Sequence, residues 1–111
     1  MNTISYFEIA GSSSEKLAEF YGEVFGWKAA PGPFPQYVAL GEDSGAGLPG
    51  GFRQEERSEV VLYIKVADLQ ATLDEVVRAG GKVLIPPTLV PGVVHFALFE
   101  DPCGNRTGIV V

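Results

Sequence analysis

Short apolar runs alternate with amphipathic stretches along this chain, and the alternation occurs twice. Ile4 to Ala10 carries Ile4, Tyr6, Phe7 and Ile9, an apolar run of strand length. Ser12 and Glu15 follow at capping-box spacing. Leu17, Phe20, Tyr21, Val24 and Phe25 then recur at intervals of three and four, the stripe of a helix whose wet side holds Lys16, Glu19 and Glu23. That stripe is read as core, and Gly26 as the helix stop. Trp27 to Ala30, Gln36 to Leu40 and the weaker run Leu48 to Arg53 are strand candidates. Pro31-Gly32-Pro33, Pro35 and the glycine-rich stretch Gly41 to Gly47 break them.

The segment Arg53 to Glu59 has no apolar member and reads as a solvated joint. The pattern then restarts. Val60 to Val66 is a rich strand run, and Asp68 stands where an N-cap belongs. Leu69, Leu73, Val76 and Val77 form a second helical stripe, closed by Gly80-Gly81. Lys82 to Ile85 predicts a short strand, Pro86 to Gly92 a loop, and Val93 to Phe99 a clear strand. Asp101-Pro102-Cys103-Gly104 has the residues a type I turn favours, and Thr107 to Val111 is the last strand. The expected fold class is therefore α+β, with two tandem βαβββ modules in a single domain. Module one covers about 1–53, the joint about 54–59 and module two about 60–111. Each module carries one helix on one sheet face, so the other face needs a cover: the sister module, a second chain or a ligand.

Composition narrows the partners. The 111 residues are 46% apolar, which excludes disorder, and Lys and Arg number 8 against 14 Asp and Glu, a net charge of −6. Such a surface repels phosphate backbones, so neither nucleic acid nor an anionic membrane is an expected partner. No apolar run approaches spanning length, and the N-terminus lacks a signal-peptide pattern, so a soluble cytoplasmic protein is expected. One cysteine and one histidine exclude an internal disulfide and a structural zinc site within one chain.

Leu17 to Trp27 resembles the first-helix signature of the vicinal oxygen chelate superfamily, the group of glyoxalase I, bleomycin-resistance proteins and extradiol dioxygenases. Val66-Ala67-Asp68 through Ala79-Gly80-Gly81, and then Phe99 to Asn105, resemble its second-half signatures. The resemblance implies paired modules whose curled mixed sheets enclose a cavity. In metal-dependent members it also implies a divalent ion held by His, Gln or Glu. Carried over position by position, those ligand places fall on Tyr6, on the Leu48 to Gly51 stretch, on Leu62 and on Gly108. A phenol, an isobutyl group and glycines do not replace imidazole and carboxylate, so no metal and no cofactor are expected.

The candidate site follows from strand alternation and from that resemblance. Tyr6 and Glu8 leave the same face of the first strand. Phe96, Leu98 and Glu100 share one face of a later strand, and the resemblance to fosfomycin-resistance members turns that face to the cavity. Leu62 and Ile64 are added as apolar walls. His95 falls on the helix side and Cys103 on a turn, neither a strong candidate, and Arg53 and Arg106 read as solvated. The glycine-rich Gly41 to Gly51 lacks a phosphate-binding frame and reads as a flap. Three functions fit. The leading one is metal-free binding of a small, largely apolar or aromatic molecule by a homodimer. The second is cofactor-independent isomerase, cyclase or lyase chemistry, with Glu8 as base and Tyr6 as oxyanion donor. The third is a metal enzyme with a non-inherited site.

Overall fold

A computed structural model describes residues 1–111 and gives ten elements: β1 Thr3–Gly11, α1 Ser14–Phe25, β2 Ala30–Pro31, β3 Tyr37–Leu40, β4 Gly50–Gln54, β5 Glu59–Lys65, α2 Leu69–Arg78, β6 Lys82–Val90, β7 Val94–Glu100 and β8 Arg106–Val110. This is an α+β chain of two βαβββ modules. Two compact units form, residues 6–61 and residues 62–111 with 1–5, so the division cuts β1 and β5. We call them the N-terminal and C-terminal units. Their strand orders are β2-β3-β4-β1 and β6-β7-β8-β5, the same topology twice. In each the first strand runs parallel to the last, and the remaining pairs are antiparallel. A parallel first and last strand requires a crossover, which the helix supplies.

In the N-terminal unit α1 starts one residue later than the spacing predicts. Ser13, not Ser12, is the cap: its Oγ accepts from the Lys16 N–H at 3.1 Å, while Ser14 tucks into the interior. Gly26 ends the helix in the left-handed conformation, φ 75°, a role glycine fills without strain. The stripe read as core is only partly so. Tyr21 stacks on Phe52 and Trp27, at ring separations of 5.5 and 5.3 Å. Phe20, Val24 and Phe25 are exposed, because only the line of Leu17 and Tyr21 faces the sheet. Of the strand expected over Trp27 to Ala30 only Ala30 forms, in β2; the indole is instead held among Phe7, Tyr21 and Phe25. The Gly41 to Gly47 loop is tied at buried Ser44, whose carbonyl accepts from Lys28 N–H at 2.8 Å.

In the C-terminal unit Asp68 caps α2 by accepting from Ala71 N–H at 2.9 Å. Leu69 and Leu73 descend into a core of Val66, Ala97 and Ile109, with Ile64 and Phe99 packed against it. Val77, expected in the stripe, is exposed. The segment expected as a loop from Pro86 is strand: β6 continues to Val90. It is an edge strand whose register slips between Val83 and Ile85 and again between Ile85 and Thr88, the setting in which prolines without an N–H are tolerated. The Asp101 turn forms as predicted, with Gly104 N–H donating to the Asp101 carbonyl at 3.0 Å. No helix is long and apolar enough to cross a membrane.

Candidate functional site

Two faces of the N-terminal sheet differ in chemistry. On β1, Phe7 points to the side of α1, where its ring meets Trp27, and Phe52 of β4 stacks there on Tyr21. Tyr6 and Glu8 therefore leave the opposite, helix-free face. Register adds their neighbours. Glu8 pairs with Gly51, which pairs with Ala39, and Ala10 pairs with Arg53, which pairs with Tyr37. Paired residues in a ladder point to the same side, so Tyr6, Glu8, Tyr37 and Arg53 share one face.

These side chains join into a chain of hydrogen bonds. Tyr37 Oη donates to Glu8 Oε2 at 2.7 Å. A phenol has one proton, so Tyr37 accepts from Tyr6 Oη at 2.5 Å. Arg53 donates through Nη1 to Glu8 Oε1 at 3.3 Å and through Nη2 to Glu59 Oε2 at 3.0 Å, with Glu55 Oε1 3.6 Å from its Nε. Glu8 is only 8% exposed, so its oxygens take their hydrogen bonds from these partners more than from water. Burial lifts both phenols above the ordinary tyrosine range. At Tyr6 the bond to Tyr37 opposes that rise and the Glu8 charge adds to it; at Tyr37 the Glu8 charge is the second cause. Both hydroxyls stay protonated as donors.

Tyr6 and Glu8 thus come together as expected from alternation, but Arg53 was misread. Its side chain is 22% exposed and bound to glutamates on both sides, because β4 extends to Gln54 and carries it onto the sheet. Tyr37 carried no functional expectation. The signal for it was present: Tyr37 and Ala39 alternate on a strand that neighbours the Gly50-Gly51 pair.

The expected apolar walls do not share a face. Ile64 packs into the α2-side core with Phe99, and Leu62, two residues before it, lies on that same side and is 43% exposed. Phe96, Leu98 and Glu100 alternate with Ala97 and Phe99 and leave the other side. The reason is register: Tyr63, not Leu62, pairs with Gly108, and Gly108 pairs with Leu98. Glu100 forms an ion pair with Lys82 at 3.4 Å. His95 is exposed, as is Cys103. One cavity of about 490 Å³ lies in the N-terminal unit beside Lys16, Leu17, Ser58 and Glu59. Another of about 320 Å³ lies on the α2 side of the C-terminal unit, lined in part by Ile64 and Phe99.

The residues do not fit the superfamily's metal. No three His, Cys, Asp or Glu side chains come together in a way that could hold an ion. At two of the inherited ligand places, Gly51 in the Leu48 to Gly51 stretch and Gly108, the space a side chain would take is moreover already filled. The Tyr37 ring covers Gly51 and the Tyr63 ring covers Gly108, each within 2.2 Å of where a Cβ would stand.

The sequence model described as "Glyoxalase-like domain" matches residues 8–110. A glyoxylase-like domain-containing protein of Didymella fabae is 34% identical over 96% of this chain and 91% of its own length. The putative glyoxylase CFP32 of Mycobacterium tuberculosis is 24% identical over 96% of this chain, which spans only 44% of that protein. Among solved structures, a variant of Streptomyces coelicolor methylmalonyl-CoA epimerase in complex with 2-nitronate-propionyl-CoA superposes with TM-score 0.73 at 18% identity, covering 99% of this chain and 97% of that one. The hypothetical protein BH1468 of Bacillus halodurans gives TM-score 0.75 at 14% identity, covering 98% and 93%. With a family match over nearly its whole length and a relative of the same size, the chain belongs to the glyoxalase-like domain family of the vicinal oxygen chelate superfamily.

Proposed function

We propose that this chain binds a small, largely apolar or aromatic molecule, without a metal ion, through the helix-free face that carries Tyr6, Glu8, Tyr37 and Arg53. The observation that carries the reading is the state of Glu8. It is a nearly buried carboxylate with one oxygen held by a phenol and the other by a guanidinium. A general base needs a free oxygen within reach of the proton it takes. An oxygen pair already engaged, beside a cation, serves recognition better than proton abstraction. Tyr6, Tyr37 and Arg53 are the partly exposed members through which a ligand meets the network. Three carboxylates, Glu8, Glu55 and Glu59, surround the single Arg53, so the cluster is net negative and favours a cationic or donor-bearing group over an anion.

Calorimetric titration of benzylammonium and of benzoate tests this, as two aromatic probes of equal size and opposite charge. Saturable binding of benzylammonium, with benzoate at least about tenfold weaker, is expected. Equal binding of the two, or none of either, overturns the reading. Glu8→Gln separates binding from catalysis: a binder loses affinity for benzylammonium, while an enzyme using Glu8 as base keeps affinity and loses turnover. Elemental analysis supplies the metal arm. Zinc, nickel, iron or manganese near one ion per purified chain contradicts the metal-free assignment.

A further inference from the structure

The glycine beneath Tyr37 has a consequence for the site. Tyr37 sits on β3 and Glu8 on β1, and β4 lies between them. Strands are about 4.8 Å apart, so the two backbones are roughly 9.6 Å apart and the phenol must lie flat across β4 to reach the carboxylate. The β4 residue it crosses is Gly51, the register partner of Glu8. A Cβ built there would stand 2.2 Å from Tyr37 Oη and 2.4 Å from its Cε1 and Cζ, distances no side chain can share. A second glycine is also shaped to Tyr37: a Cβ on Gly32 would fall 2.6 Å from Tyr37 Cδ1. Gly51 does not have the left-handed backbone that favours glycine, whereas Gly26, Gly45 and Gly47 do. Its lack of a side chain is explained by the ring above it and not by its own conformation.

We propose that Gly51 is a positioning residue: it keeps open the lane over β4 along which Tyr37 reaches Glu8, and so fixes how that carboxylate is presented to a ligand. In the Leu48 to Gly51 stretch, where the resemblance puts one ligating side chain of the metal-dependent members, the space over Gly51 is taken by a phenol arriving from the neighbouring strand. The claim about ligand presentation rests on the binding reading above; the claim about Tyr37 does not.

The test uses the whole chain with 13C-labelled tyrosine ring carbons, following each Cζ signal against pH. In the wild type Tyr37 resists ionisation beyond the ordinary phenol range. In Gly51→Ala the ring is displaced from Glu8, and Tyr37 ionises at least one pH unit earlier. Folding is checked by circular dichroism. Because the methyl of Gly51→Ala overlaps the ring and so also bears on folding, a second comparison places it in Tyr37→Leu: with the ring gone, the added methyl costs no further stability in urea. A Tyr37 titration unmoved by Gly51→Ala, or an alanine equally costly with and without the ring, overturns the proposal. Benzylammonium affinity gives the ligand arm, with a loss of about tenfold expected in Gly51→Ala. Should the wild type not bind benzylammonium, the binding reading falls while the two comparisons above still decide the role of Gly51.

Discussion

The two units share a topology and differ in what they place on it. Each has four strands in the same order, a crossover helix on one face and a tyrosine ring lying over a glycine of its last strand. In the N-terminal unit the phenol arrives from β3 and joins Glu8 and Arg53. In the C-terminal unit Tyr63 arrives from β5, and its row continues through Gly108 to Leu98 and Ile85, without a carboxylate. The helices differ the other way. α2 buries Leu69 and Leu73, whereas α1 leaves Phe20, Val24 and Phe25 exposed. One scaffold thus serves two ends: the C-terminal copy concentrates apolar packing, and the N-terminal copy concentrates polar chemistry.

Substitutions in the two helices test the packing half of this comparison most strongly. Leu73, 1% exposed, should cost about 2–5 kcal/mol when cut to alanine. Phe25→Ala, at a residue 62% exposed, should cost less than about 1 kcal/mol. Urea unfolding measures both, and costs of the reverse order break the contrast.

Arg53→Met comes next. It leaves Glu8 and Glu59 without their shared cation, and since Arg53 is partly exposed the expected loss is about 2–3 kcal/mol, below that of a fully buried pair. Lys82→Met removes an exposed partner of Glu100 in the other unit and should change stability by less than about 1 kcal/mol. Similar losses in thermal melts would mean that the polar network is no more than a surface feature.

Alkaline pH sharpens the same point with a smaller effect. Burial, and then the charge of Glu8, raise Tyr37 above its ordinary value of 10.0. Below pH 10 the phenol is protonated whether the chain is folded or not, and stability is full. Above it the unfolded chain releases this proton and the folded chain retains it, so stability falls as pH rises, by up to about 1.4 kcal/mol per pH unit. Tyr37→Phe should flatten that fall; an unchanged slope of melting temperature against pH denies the role of Tyr37.

The smallest effect lies at the Asp101 turn, where a hydrogen bond from the Asn105 side chain leads the causes that lower the carboxyl below its usual range. Asn105→Ala should move that titration back up, read by NMR, and leave the Tyr37 signal alone.

Legibility followed range. Local signals, such as the Asp68 cap, the Gly26 stop and the Asp101 turn, were readable because capping and turn chemistry act within a few residues. The pairing of Tyr6 with Glu8 on one face followed from strand alternation alone. Register was harder to read. It set Tyr63 rather than Leu62 opposite Gly108, and it carried Arg53 from the charged joint onto the sheet beside Glu8. Hydrophobic periodicity also overstated burial, since Phe20 and Val24 keep the helical spacing without facing the sheet. Tyr37 went unnoticed because its role depends on a glycine that is distant in sequence.

The most direct test of ligand recognition by the N-terminal network is a benzylammonium titration read by tyrosine-resolved NMR. The account predicts saturable shifts at Tyr6 and Tyr37, with Tyr63 unmoved. A saturable shift at Tyr63 with Tyr6 and Tyr37 unmoved would contradict it, placing recognition on the apolar copy of the scaffold.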